Sequence, residues 1–199
     1  MFKASIKSFV IRIIKTADQI KNDPARNQKT NIRLNVPYFD SQPGNCGLAC
    51  IQMLLGYYQR QVPTQKQLTR KYKSKPFYYL EPFGWTQQGL ITILDNHGLP
   101  SISTDYVGLS TVIKRVGDRK PVIVSIQVPS INNLHSSKLY RPNNSQLLSE
   151  GHLVIITGIK DSKVLVHDPR NIGKYTAFLS VDYSVFNQIY SGRYIYAIR

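Results

Sequence analysis

The chain has 199 residues, 42% of them hydrophobic, and a net charge of +15 from 26 basic and 11 acidic side chains. That length gives one domain with a single sizeable core plus an extension. Two cysteines and four histidines at these spacings form neither a disulfide framework nor a metal site, and no zinc finger, phosphate-binding glycine loop or aromatic RNA-binding signature is present, so the positive charge does not by itself argue for nucleic acid.

In chain order, Phe2, Ile6, Phe9, Val10, Ile13, Ile14, Ala17 and Ile20 recur at helical spacing among Lys3, Lys7, Arg12 and Lys15. Charge interrupts this run too often for a secretory h-region, and it is too short to span a bilayer. Residues 22–30 are polar and read as a linker, which places a basic amphipathic extension at 1–30 and the main domain at 31–199. Residues 1–33 carry eight basic and two acidic groups, a net of +6, and residues 60–75 carry six basic groups and no acid. These two patches read either as a solvated basic face or as a fit to an acidic protein partner or an anionic membrane surface, engaged through residues 1–30. For the N-terminal helix itself the readings are packing on the domain, which is the default, a targeting leader, or a membrane-surface helix. Pro43-Gly44 marks a turn and Asn45 an N-cap, opening an apolar helix that runs through Tyr58. Helices are also predicted over Thr64–Tyr72 with Thr64 as cap, from Thr86 through Leu94, and over Ser110–Val116. Strands are predicted near Ser101–Ser103, over Pro121–Gln127, over Glu150–Ile159 with Lys163–His167 as hairpin partner, near Tyr175–Leu179 and over Arg193–Ile198. Residues 129–149 form a long Asn- and Ser-rich loop, a wall or lid for a cleft. His97 and His135 are expected to face solvent, and His167 to be structural.

The chemistry gathers at three residues. Cys46 sits in the first turn of the apolar helix, where unpaired backbone N–H groups and the positive end of the macrodipole favour a thiolate. A nucleophilic cysteine needs a base, and the base needs an acceptor on its other ring nitrogen. His152, at the mouth of one strand, and Asp168, just past the end of its partner, supply both if their faces agree. A two-residue turn at Asp161-Ser162 alone would set Asp168 opposite Ile155, on the wrong face. A three-residue loop or one bulge restores the face and leaves a diagonal contact.

The stretch Asn35-Val36-Pro37-Tyr38-Phe39, the run Asn45-Cys46-Gly47-Leu48-Ala49-Cys50, Gly84-Trp85-Thr86 to Gly89-Leu90, Lys120-Pro121-Val122-Ile123-Val124, Gly151-His152 and Asp168-Pro169 follow one another in an order that resembles the papain-like cysteine peptidases of the bacteriocin-processing, double-glycine leader peptidase type. The resemblance covers roughly residues 34–199. It implies an α+β papain-like fold, with the nucleophile on a central helix packed on an antiparallel sheet. It also implies Cys46 as nucleophile, His152 as base, Asp168 as orienter, a peptide or protein substrate and no cofactor. The family usually places an oxyanion-hole glutamine about six residues before the cysteine. Here that place is Asp40, and Gln42 lies closer on a shortened loop, so the hole falls to Gln42 or to Asn45 with the Cys46 backbone N–H. A cytoplasmic location, at or beside a membrane, follows from the thiol chemistry and the basic extension. The functional expectation is a cysteine peptidase. A peptidase toxin or effector cleaving a specific target protein, and a non-catalytic papain-fold binding module, are the alternatives.

Overall fold

A computed structural model of the chain describes residues 31–81, 83–128, 150–170 and 179–198. The expected N-terminal helix and linker, the loop at 129–149 with His135, and most of the strand expected at 175–179 lie outside the described residues. In chain order the elements are β1 (Ile32–Arg33), α1 (Cys46–Tyr57), α2 (Gln65–Tyr72), β2 (Tyr79–Leu80), β3 (Gly84–Trp85), α3 (Gln87–Asn96), β4 (Ser101–Thr104), α4 (Leu109–Gly117), β5 (Val122–Val128), β6 (Glu150–Lys160), β7 (Lys163–His167), β8 (Leu179–Asp182), α5 (Tyr183–Ile189) and β9 (Tyr190–Ala197).

The order β4-β9-β5-β6-β7-β8 makes one antiparallel sheet, with β1 added to β6, and β2-β3 form a separate hairpin. The fold is α+β, as the chain's pattern of separate helical and strand runs requires. Strand β5 sits at the centre because Val122, Ile123, Val124 and Ile126 are all fully buried, so both of its faces are covered. Its pairing with β6 ends at Val122 opposite Ile156, where Pro121 cannot donate to the ladder. Strand β1 takes over beyond that point, with Ile32 opposite Ile159 and Arg33 opposite Gly158. The close approach there requires a glycine. A Cβ on Gly158 would stand 2.1 Å from the Ile32 carbonyl oxygen and 3.1 Å from Arg33 Cα. Gly158→Ala is therefore expected to prise β1 from β6 and lower stability by about 2 kcal/mol, read from the urea midpoint.

Helix α1 is the core of the molecule. Every residue from Gly47 to Leu55 is buried, which explains a sequence that is apolar on all sides. It lies against β6 and α3, and a Cβ on Gly47 would come within 3.1–3.2 Å of Leu90 and Leu153. Helix α2 opens with a complete capping box: Thr64 Oγ1 accepts from the Gln67 backbone N–H while the Gln67 side chain answers the Thr64 N–H. Thr86 caps α3 by accepting from Gly89 N–H.

Three features depart from the sequence expectations. Asn45 occupies the N-cap position of α1, but its side chain makes no capping bond. His97 does not simply face solvent, since its ring lies edge-on to Tyr72 and is partly buried. The last strand begins at Tyr190, three residues before Arg193, directly after the short helix α5 that the sequence reading did not contain.

Candidate active site

The nucleophile turn is built from its sequence. Gly44 adopts φ +73, a left-handed value suited to the second central position of a Pro-Gly turn, and the Asn45 N–H closes the turn onto the Gln42 carbonyl at 2.9 Å. The chain then enters α1, which places Cys46 at the first helical position with part of its surface exposed. The Trp85 indole N–H donates to Asn45 Oδ1 at 3.0 Å, which explains why that side chain does not cap the helix. The β2-β3 hairpin is thereby fastened to the nucleophile turn.

His152 and Asp168 are brought together by a bulge. Asp161 and Ser162, with φ 50 and 60, form a two-residue turn between Lys160 and Lys163. The register shifts between Ile156 and Gly158, so His167 pairs with Ile155. Asp168, the next residue, then shares the face of His152. His152 Nε2 lies 2.7 Å from Asp168 Oδ1, and both residues are buried. With Nε2 engaged, Nδ1 is the ring nitrogen left for the Cys46 thiol, with which His152 is electrostatically coupled.

Electrostatics follow from this row. Burial pushes the Cys46 pKa up, but the hydrogen bond and positive charge of His152, helped by the helix-start N–H of Gly47, outweigh it and bring the thiol below its ordinary value. Burial alone would lower His152; Asp168 and Cys46 together raise it. Burial would raise Asp168, yet His152 and Arg170 hold its carboxyl well below the usual carboxylate range. Cys50, one turn deeper, has its thiol driven well above the ordinary range by burial and by the nearby Cys46 and Asp168. Its Sγ–H donates to the Leu153 carbonyl at 3.5 Å. The two shifts run in the directions that bring a Cys46 thiolate and a His152 imidazolium closer in energy to the neutral pair.

Two supports were not legible as such in the sequence. Gln65, buried at the start of α2, accepts from Gln42 N–H at 3.0 Å and donates to the Asp40 carbonyl at 2.7 Å and to Gln52 Oε1 at 2.9 Å. It holds the shortened loop before the nucleophile. Arg170 grips Asp168 from two residues downstream. The loop and the orienter are also tied directly, through Ser41 N–H to the Pro169 carbonyl at 2.7 Å and Tyr38 OH to the Asp168 carbonyl at 3.0 Å. The Gln42 side chain is exposed at the turn. His167 is buried against Tyr38, and burial with the nearby Arg33 lowers its pKa to about 4, so it is a neutral structural ring. Among the described residues no group of three or more His, Cys, Asp or Glu side chains is placed to hold a metal ion.

The family model described as Peptidase_C39 like family matches residues 20–197. The chain belongs to that family. It is a cysteine peptidase, and solved structures show the same papain-like fold. A putative C39-like peptidase from Bacillus anthracis superposes with a TM-score of 0.59 at 16% identity, covering 85% of this chain and 98% of that one. Xylellain, a cysteine protease from Xylella fastidiosa, gives 0.59 at 12% identity, covering 86% and 87%. A double glycine motif protease from an AMS/PCAT transporter, solved in complex with the leader peptide, gives 0.54 at 17% identity, covering 84% and 95%. None of the curated proteins compared with this C39-like peptidase matches it in sequence. Among the described residues no helix is long and apolar enough to cross a membrane.

Proposed function

We propose that the protein hydrolyses peptide bonds with Cys46 as nucleophile, His152 as general acid and base, and Asp168 as orienter, within a peptidase domain spanning 31–199. The observation that carries this reading is the buried His152, held to the Asp168 carboxylate at 2.7 Å and electrostatically coupled to the helix-start thiol of Cys46. The Cys46 thiolate attacks the scissile carbonyl and forms a C–S bond. The tetrahedral oxyanion collapses to an acyl-enzyme as His152 protonates the leaving amine. Water, losing a proton to His152, then releases the acid and regenerates the thiol. A peptide substrate is supported by the related transporter protease solved with its leader peptide. The deciding experiment is a survey of new peptide N-termini in a bacterial proteome treated with wild-type protein, with Cys46→Ala as control. No difference between the two, despite a reactive Cys46, would leave a binding module instead.

The two shifted groups predict a bell-shaped pH dependence of kcat/KM. Activity should rise as Cys46 loses its proton, below the ordinary thiol value of 9.0. It should fall as His152 loses its proton, above the ordinary imidazole value of 6.5. A profile that only rises, with a midpoint near the ordinary thiol value, would contradict the ion pair.

The oxyanion donors in this reading are the Cys46 backbone N–H, which has no partner within its helix, and the Gln42 side-chain amide. Gln42→Ala should then cost roughly 2.7–4 kcal/mol of transition-state stabilisation, falling on acylation and only weakly on substrate affinity. Asn45 offers its amide N–H2 from the same turn, since its Oδ1 is occupied by Trp85. An unchanged acylation rate in Gln42→Ala, with a loss in Asn45→Ala, would transfer the role to Asn45.

A further inference from the structure

We propose that Arg170 is a positioning residue of the active site, which locks the Asp168 carboxylate in a guanidinium fork and, by sharing its negative charge, sets the pH window of the Cys46–His152 ion pair. The inference rests on the catalytic reading of Cys46, His152 and Asp168. Arg170 Nε donates to Asp168 Oδ1 and Oδ2, both at 3.1 Å, and a terminal nitrogen donates to Oδ2 at 2.5 Å. The Arg170 backbone N–H donates to Oδ1 at 2.9 Å. Oδ1 is therefore shared between His152 and Arg170, while Oδ2 belongs to the guanidinium. The side chain is only 10% exposed, so the pair is shielded from solvent and little screened by salt. A planar fork fixes a carboxylate more rigidly than an ammonium does, which lysine would not reproduce.

The charged and titratable groups acting on Asp168 include His152 from β6, Arg170 from its own loop and Cys50 from α1. Among these Arg170 is the permanent cation. Removing a cation raises the proton affinity of every group within its reach. The uncompensated carboxylate would disfavour the thiolate and favour the imidazolium, so both limbs of the pH profile should move upward. A residue that merely kept Asp168 in place would act differently. Its loss would weaken the contact between Asp168 and His152 and bring the alkaline limb down.

The test is the pH dependence of Cys46 alkylation by iodoacetamide, measured in a Cys50→Ala background so that one thiol reports. The rate changes in two steps, one where Cys46 and one where His152 loses its proton, and these are the two limbs followed. The alkylation arm needs no turnover, so Arg170→Gln reads Arg170 even if peptide hydrolysis is never found. Failure of the catalytic reading would show separately, as hydrolysis that survives Cys46→Ala. Arg170→Gln, which keeps donors and loses charge, should shift both limbs upward by about half a unit or more. Arg170→Lys, which keeps charge and loses the fork, should leave both limbs within about 0.2 unit of wild type while lowering kcat several-fold at unchanged KM. Limbs in Arg170→Gln that stay put or move downward would overturn the proposal. Should Arg170→Gln fail to fold, Arg170→Lys decides alone: displaced limbs or wild-type kcat would overturn it.

Discussion

Cys46→Ala is expected to abolish peptide hydrolysis, with a loss of roughly 10⁴-fold or more in kcat, while the protein keeps its fold. The alanine fits because Cys46 is at the partly exposed start of α1 and the helix is held by the buried run from Gly47 to Leu55. The contrast with Cys50 makes the prediction sharp. Cys50 is fully buried, donates to Leu153 and has a thiol with raised pKa, so Cys50→Ala should cost about 1 kcal/mol of stability and leave kcat near wild type. Kinetic assays, circular dichroism and mass spectrometry of iodoacetamide adducts check both halves. Faster labelling of Cys50 than of Cys46 would refute the assignment.

His152→Ala is expected to be as damaging as loss of the nucleophile, because these groups act as one unit and their losses do not add. The double variant with Cys46→Ala should be no worse than either single one. Asp168→Asn should be milder but substantial, a fall of roughly 100-fold in kcat. An amide oxygen can still accept from His152 Nε2. The Arg170 fork, however, then faces an amide in place of a second carboxylate oxygen, and a turned amide would point N–H2 at a donor. Full activity in His152→Ala would dismiss the mechanism, and full activity in Asp168→Asn would dismiss the orienter.

The parts of this site that depend on local chemistry were readable from the chain. Pro43-Gly44 demanded a turn, the uninterrupted apolar run from Leu48 demanded a buried helix, and both placed Cys46 at its start. Thr64 and Thr86 announced α2 and α3 by the same logic. The pairing of His152 with Asp168 was readable only up to a choice of registers, because alternation along a strand cannot say whether a bulge occurs. The bulge beside Gly158 decides it, at the place where Ile32 and Arg33 approach from far away in the chain. Trp85, Gln65 and Arg170 carried no such local signal. Their partners lie 40 residues away for Trp85 and 23–25 for the loop held by Gln65, so nothing in the neighbouring sequence announces them. Arg170 is two residues from Asp168, but an arginine in a loop reads as a solvated cation until its burial is known. Helix α5 was hidden because a seven-residue segment with Tyr183, Phe186 and Ile189 inward is too short for its period to stand out from the strands on either side.

In the ion-pair state proposed for this site, the formal charges from Arg170 through Asp168 and His152 to Cys46 alternate plus, minus, plus, minus, and the row is neutral. When the thiolate's charge passes through the new carbon–sulfur bond onto the oxyanion, the row itself carries one surplus positive charge. Neutrality returns only when the imidazolium releases its proton, which is the step the departing amine requires. Deacylation runs the count in reverse: the proton taken from water makes the row positive, and the regenerated thiolate restores balance. A row lacking the outermost cation would be neutral in the acyl stage with its imidazolium intact, and would have less reason to let the proton go. In the proposed cycle a buried arginine that touches neither nucleophile nor base thus biases the direction in which the proton travels at each half.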